Sequence, residues 1–160
     1  MKTVFNRHGI NRIIKRMKKE IEVLEKFIAE KGLRYTPQRE EILKVFLSVE
    51  KHLSAEELHR VVRKKYTGIG YVTVYRTMKL LEDAGLCSEV DFGDGVARFE
   101  HIYGHGHHDH LVCVKCGSFT EVVNPQIEKL QDELAKKRAF IPLKHKLQVF
   151  GICSKCSKRK

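Results

Sequence analysis

Apolar residues recur every three to four positions over residues 20–47: Ile21, Leu24, Phe27 and Ile28, then Ile42, Val45 and Phe46. That is the period of helices buried along one side. The intervening KGLRYTPQRE holds the punctuation. Gly32 closes one helix, and Thr36-Pro37 opens the next with an N-cap and a proline at the first helical position. Glu40 falls near the capping-box place. SAEELHRVVRKKY, residues 54–66, repeats the pattern, with Ser54 as cap, Glu57 three residues on, and Leu58, Val61 and Val62 facing inward. TGIG then turns the chain, its Gly68 and Gly70 suiting a tight connection. YVTVYRTMKLLEDAG predicts the third helix after Gly32, ended by Gly85, with Val74, Met78 and Leu81 inside and Thr73, Arg76 and Lys79 outside. CSEVDFGDGVARFEH alternates on either side of Gly93-Asp94-Gly95, which predicts a hairpin. Three short helices followed by a hairpin is the order of a winged helix-turn-helix.

Beyond that point the pattern changes. LVCVKCGSFTEVV reads as strand, turn, strand. NPQIEKLQDELAKKRAF carries Ile127, Leu130 and Leu134 at helical spacing, and HKLQVFGICSKC predicts a last strand. The fold class expected is therefore α+β: a winged helix-turn-helix domain over 1–99 and a β-α-β domain over 100–160. The short apolar strands of the second domain would leave open edges, and a second copy would cover them. A homodimer is expected on that ground.

Composition sharpens this picture. The chain has 160 residues, 42% of them hydrophobic, enough for one ordinary domain or two small ones. No apolar run reaches the roughly 18 residues of a membrane span. The N-terminus lacks the apolar stretch and small-residue site of a signal peptide, so a cytoplasmic location is expected. The formal charge of +11 favours polyanions: nucleic acid, an anionic membrane or acidic partners. Residues 1–20 are a basic extension holding Lys2, Arg7, Arg12, Lys15, Arg16, Lys18 and Lys19 against Glu20 alone. They suit either an amphipathic helix, with Ile10, Ile13, Ile14, Met17 and Ile21 on one side, or a frayed tail.

The candidate chemistry lies in HGHHDHLVCVKC, residues 105–116. Cys113-x-x-Cys116 and Cys153-x-x-Cys156 are the ligand pairs of a tetrahedral thiolate site. Such a site is closed, hence a structural Zn(II), the alternative being two redox pairs. The histidines form a second kind of site. An alternating strand puts His108 and His110 on one face and His107 and Asp109 on the other. Two ligands per face are too few for a full shell, and His52, Glu100, Glu128 and His145 are available to complete them. Nitrogen and oxygen ligands of this kind suit Fe(II), Mn(II), Zn(II), Co(II) or Ni(II).

At this point GLRYTPQR, HLSAEEL, TVYRT, ARFE, HHDHLVCVKCG and the two CxxC pairs, spanning about Gly32 to Cys156, resemble the ferric uptake regulator family of metal-dependent repressors. The resemblance implies a winged-helix domain followed by a dimerisation domain. It implies a third helix entering the major groove through Thr73, Tyr75 and Arg76, a minor-groove contact by Arg34 and a phosphate contact by Arg39. It further implies a regulatory metal on His52, Glu100, His108 and His110, a second metal on His107, Asp109, Glu128 and His145, and structural zinc on Cys113, Cys116, Cys153 and Cys156. The expected function is a dimer that, with Fe(II) or Mn(II) bound, grips AT-rich palindromic double-stranded DNA operators and represses metal-uptake genes. Zinc-sensing and peroxide-sensing members of the same family are the alternatives, and a regulatory Zn(II) stays open. Glu100 departs from the aspartate usual in the peroxide-sensing branch. Cys87 offers a zinc sensor an extra ligand, although its apolar GLC context suits a core thiol better. His105 is a possible added ligand and His101 is taken as solvated. One residue more than the family pattern lies between Glu100 and the HHDH run.

Two rival classes share some of these features. A His/Asp/Glu metal cluster can activate water, but no nucleophile with a base accompanies it, so no enzyme activity and no small-molecule substrate are expected. A metal buffer would need the ligands and not the TVYRT helix.

Overall fold

The computed structural model describes residues 7–49, 51–104, 106–143 and 145–158, with side chains from residue 17 onward. His105 and the first six residues of the basic extension lie outside the described residues. The chain divides into two compact units. The first runs to Asp91 and takes in Val96–His105; the second is Phe92–Gly95 with Gly106–Lys160. Among the described residues no helix is long and apolar enough to cross a membrane.

In the first unit, α1 spans Arg7–Glu30. The backbone of the basic extension is therefore helical from Arg7, while the apolar side expected of Ile10, Ile13 and Ile14 lies outside the described side chains. Gly32, at φ 63°, ends the helix: its N–H reaches Ala29 O and the Leu33 N–H reaches Ile28 O, a pairing that requires the left-handed conformation glycine adopts freely. Helix α2, Pro37–Ser48, is capped by Thr36, whose side chain accepts from the Arg39 N–H. Glu40 does not close a capping box there. It sits one residue too late, and its carboxylate instead receives the Tyr35 hydroxyl and the Lys44 ammonium. Helix α3, Ala55–Lys65, does carry the full box. The Glu57 N–H donates to Ser54 Oγ at 3.1 Å, and the Ser54 N–H donates to Glu57 at 2.8 Å. Helix α4, Tyr71–Asp83, buries Val74, Thr77, Met78 and Leu81.

A three-stranded sheet completes this unit in the order β1-β3-β2, all antiparallel, with β1 Leu53–Ser54, β2 Cys87–Asp91 and β3 Ala97–His101. Strand β1 is two residues long and carries no alternation that local sequence reading can detect. Leu24, Ile28, Phe46, Leu58, Met78, Leu81 and Phe99 lie in one buried cluster between the helices and this sheet. The element order and the antiparallel hairpin make the unit a winged helix-turn-helix.

The second unit is built on a sheet ordered β5-β4-β6. Strand β4, Asp109–Cys113, runs antiparallel to β5, Phe119–Val122, and parallel to β6, Gln148–Gly151. The parallel pair needs a crossover, and α5, Pro125–Lys137, supplies it. Asn124 caps α5 and Pro125 occupies its first turn. A four-residue helix, α6 Ser154–Ser157, follows β6; the sequence pattern gives no sign of it. Phe92 stacks on Phe119 with ring centres 4.5 Å apart.

Candidate metal and nucleic-acid sites

Register builds the ligand groups. Because Leu53 pairs with Phe99 in an antiparallel ladder, the next pair along sets His52 opposite Glu100. His52 Nε2 lies 2.9 Å from Glu100 Oε2, and both side chains are largely buried, 8% and 12% exposed. One residue on, His101 is not the solvated side chain expected from the sequence. Its Nε2 lies 2.7 Å from a carboxylate oxygen of Glu20, which is 1% exposed. The expectation failed because Glu20 arrives from α1, a neighbour that no local pattern connects to β3.

In the second unit, His108 and His110 stand edge to face with ring centres 5.1 Å apart. His110 is buried at the start of β4 and pairs in register with Glu121 on β5. Directly opposed residues share a face, so Glu121 is a carboxylate beside the two histidines that sequence reasoning missed. Only the β4–β5 register reveals it.

His107, Asp109, Glu128 and His145 form a tight group, each offering one donor atom, and these atoms lie within 4.8 Å of one another. His107 Nε2 is 3.1 Å from Asp109 Oδ1 and 3.6 Å from Glu128 Oε1, while His145 Nε2 is 3.2 Å from Glu128 Oε2. Asp109 is buried and Glu128 projects from the first turn of α5. Glu128 Oε1 and His145 Nε2 are buried without a hydrogen bond. Four donor groups gathered this closely, two of them with an atom left without a hydrogen bond, fit a divalent cation.

The four thiols group just as closely. The parallel register sets Cys113 beside Gly151, so Cys153 follows two residues later. The Cys153 N–H donates to Cys113 Sγ at 3.3 Å, and Cys116 Sγ lies 3.8 Å from Cys153 Sγ. Four sulfurs about 2.3 Å from one zinc stand roughly 3.7–3.8 Å apart at the tetrahedral angle, which matches the Cys116–Cys153 spacing. The Cys153 backbone N–H, with the Cys116 and Lys115 N–H groups, holds the Cys113 thiol down at about 6. The Ser118 hydroxyl and N–H lower Cys116. Hydrogen bonding to Cys116 and then Cys153 pushes Cys156 up to about 12. Low-pKa thiols are poised to bind metal as thiolates. Cys87 is different. It is buried in the first unit's core, its Sγ–H 3.6 Å from Met78 O, and burial raises its pKa, as befits an inert core thiol.

The α4 surface opposite the buried stripe presents Tyr71, Val72, Tyr75 and Arg76 to solvent, with Thr73 half-buried. Tyr71 and Tyr75 stack at 6.4 Å and 24°; Tyr71, i−4 to Tyr75 and off the buried stripe, is a further member of this face. Arg34 is exposed, and the Arg39 guanidinium donates to the Arg34 backbone carbonyl, tying the Arg39 side chain to the segment that enters α2.

The sequence profile described as the ferric uptake regulator family matches residues 30–150. A ferric uptake regulation protein of Neisseria meningitidis is 40% identical over 139 residues, covering 83% of this chain and 96% of its own. A solved ferric uptake regulator of Helicobacter pylori, described as having three functional metal-binding sites, superposes with TM-score 0.77 at 31% identity, over 90% of this chain and 95% of its own. The Pseudomonas aeruginosa regulator solved with manganese gives TM-score 0.70 at 34% identity, over 79% and 95%. With its winged helix-turn-helix, its closed thiol cage and its separate nitrogen-and-oxygen ligand groups, the chain belongs to the ferric uptake regulator family of metal-binding transcription regulators, and not to an enzyme class.

Proposed function

We propose that the chain is a cytoplasmic, metal-corepressed homodimer that binds AT-rich palindromic operators and represses metal-uptake genes. The observation that carries this is the coexistence in one chain of an outward-facing α4 surface and a hard-ligand cluster separate from the thiol cage. In this reading, residues 1–99 are the DNA-binding domain and 100–160 the dimerisation domain. Thr73, Tyr75 and Arg76 read the major groove, Arg34 the minor groove, and Arg39 a phosphate.

Cys113, Cys116, Cys153 and Cys156 hold a structural Zn(II). His107, Asp109, Glu128 and His145 take a second ion. His52, Glu100, His108 and His110 take the regulatory ion, Fe(II) or Mn(II). An ion drawing ligands from both halves of the chain favours one arrangement of them. In a dimer that arrangement decides whether two recognition helices meet successive major grooves about 34 Å apart. A regulatory Zn(II) is the second reading. The burial of Cys87 removes the extra thiolate that would have favoured it, and Glu100 argues against a peroxide sensor.

Fluorescence anisotropy with a labelled AT-rich inverted repeat tests this, using protein that retains its structural zinc and is titrated anaerobically with Fe(II), Mn(II) and Zn(II). Binding should appear with Fe(II) or Mn(II), and His110→Ala should weaken it while leaving fold and zinc content unchanged. Saturation by trace Zn(II) alone would move the protein to zinc sensing. Equal DNA affinity with and without metal would refute corepression.

A further inference from the structure

Gln131 is absent from every ligand set above, yet it stands beside one. It lies on α5 one turn after Glu128, and residues three apart on a helix project to the same side. Its Oε1 is buried and accepts no hydrogen bond, a condition shared with Glu128 Oε1 and His145 Nε2. Gln131 and His145 also line one cavity, together with Leu134, Phe140 and Pro142. An orphaned amide oxygen is unfavourable, and native interiors rarely leave several such atoms at one place. Each of the three can offer a lone pair. A cation among them, or a water held by that cation, would satisfy them together.

We propose that Gln131 supplies a further oxygen to the His107, Asp109, Glu128 and His145 site, either to the ion itself or by accepting a hydrogen bond from water on it. Gln131 is thereby a specificity-determining residue, favouring ions that accept five or six nitrogen and oxygen ligands over tetrahedral Zn(II). The inference rests on the reading of that group as a metal site. Two imidazoles, two carboxylates and an amide oxygen exceed the four ligands that zinc prefers, whereas Mn(II) and Fe(II) accommodate them. Being neutral, the amide adds a donor without adding charge, so its effect is on coordination number more than on overall cation attraction.

The test uses the full chain with its thiol-bound zinc, carrying His52→Ala and His110→Ala to silence the regulatory set. Mn(II) binding is followed by electron paramagnetic resonance and Zn(II) binding by competition with a chromophoric chelator. Gln131→Leu should weaken Mn(II) about tenfold or more, the size typical of losing a supporting ligand, and leave Zn(II) within about threefold. Gln131→Glu keeps the oxygen and should keep Mn(II) binding, which guards against a folding artefact in the leucine variant. Equal losses for both metals, no loss for either, or a change only in subunit association would overturn the role of Gln131. If the parent protein takes up no ion that His107→Ala abolishes, the metal site itself is refuted and this inference with it.

Discussion

The two units solve the problem of burial differently. In the first, α2, α3 and α4 each bury three or four residues in a shared core. In the second, α5 buries none, and Leu130 and Leu134 on its apolar stripe are 63% and 62% exposed. Phe119, Val149 and Phe150 on the two edge strands are also exposed. Its buried set is small and unusual: beside Phe92 and Val112 it holds Asp109, His110 and Cys113, three candidate metal ligands. Burying a leucine stabilises by about 1.5–3 kcal/mol, so the first unit gains its stability internally. The second leaves that gain unrealised within one chain. In the reading proposed above, its order comes from metal ligation and from a second copy that covers the α5 stripe.

The largest effect should follow from removing the metal. Structural zinc contributes apparent binding free energy on the order of 10–16 kcal/mol to small domains. Cys113→Ser should therefore release zinc and expose β4, β5 and β6 to rapid amide exchange, while the α2, α3 and α4 amides stay protected. Zinc content equal to that of the parent protein would show that the thiol cage is not what orders this unit.

A smaller effect separates covered surface from internal core. Leu58→Ala, in the first unit's core, should cost about 2–5 kcal/mol and leave subunit association unchanged. Leu130→Glu with Leu134→Glu should do the reverse, shifting sedimentation to the monomer with little loss of first-unit stability. A double variant that remains dimeric at micromolar concentration would mean that the α5 stripe is not the covered face.

Much of this contrast is legible in the sequence, because it is written in local signals. Thr36-Pro37, Ser54 with Glu57, Gly85 and the Gly93-Asp94-Gly95 turn each sit next to the groups they satisfy, and the CxxC pairs carry their own spacing. The features missed depend on partners far along the chain. Strand β1 exists only because Phe99 and Arg98 lie beside it. Glu121 is recognisable only through its register with His110, and His101 only through Glu20. Gln131 looks like any helical glutamine until the environment of its oxygen is known. Hydrophobic periodicity places elements; it does not say which polar side chains those elements bring face to face.

Glu40 illustrates the same limit and gives the smallest predicted effect. One residue late for a capping box, its carboxylate is held below its ordinary value of 4.5, first by the Lys44 ammonium and then by the Tyr35 hydroxyl. A carboxylate whose folded pKa is lowered stabilises the fold above its unfolded pKa, and that contribution fades as the pH falls through the lower, folded value. Glu40→Gln should thus lower stability near neutral pH by a fraction of a kcal/mol, about 0.2–1 for a pair open to solvent. The gap between variant and parent in urea midpoint should narrow once the pH drops below 4.5. Glu41 is held down chiefly by the Tyr66 hydroxyl but shares Lys44 with Glu40, so the comparison is made with Glu41→Gln in both proteins, and the difference between the two curves then isolates Glu40. A gap of constant size across that window would mean that Lys44 and Tyr35 respond to the shape of the side chain and not to its charge.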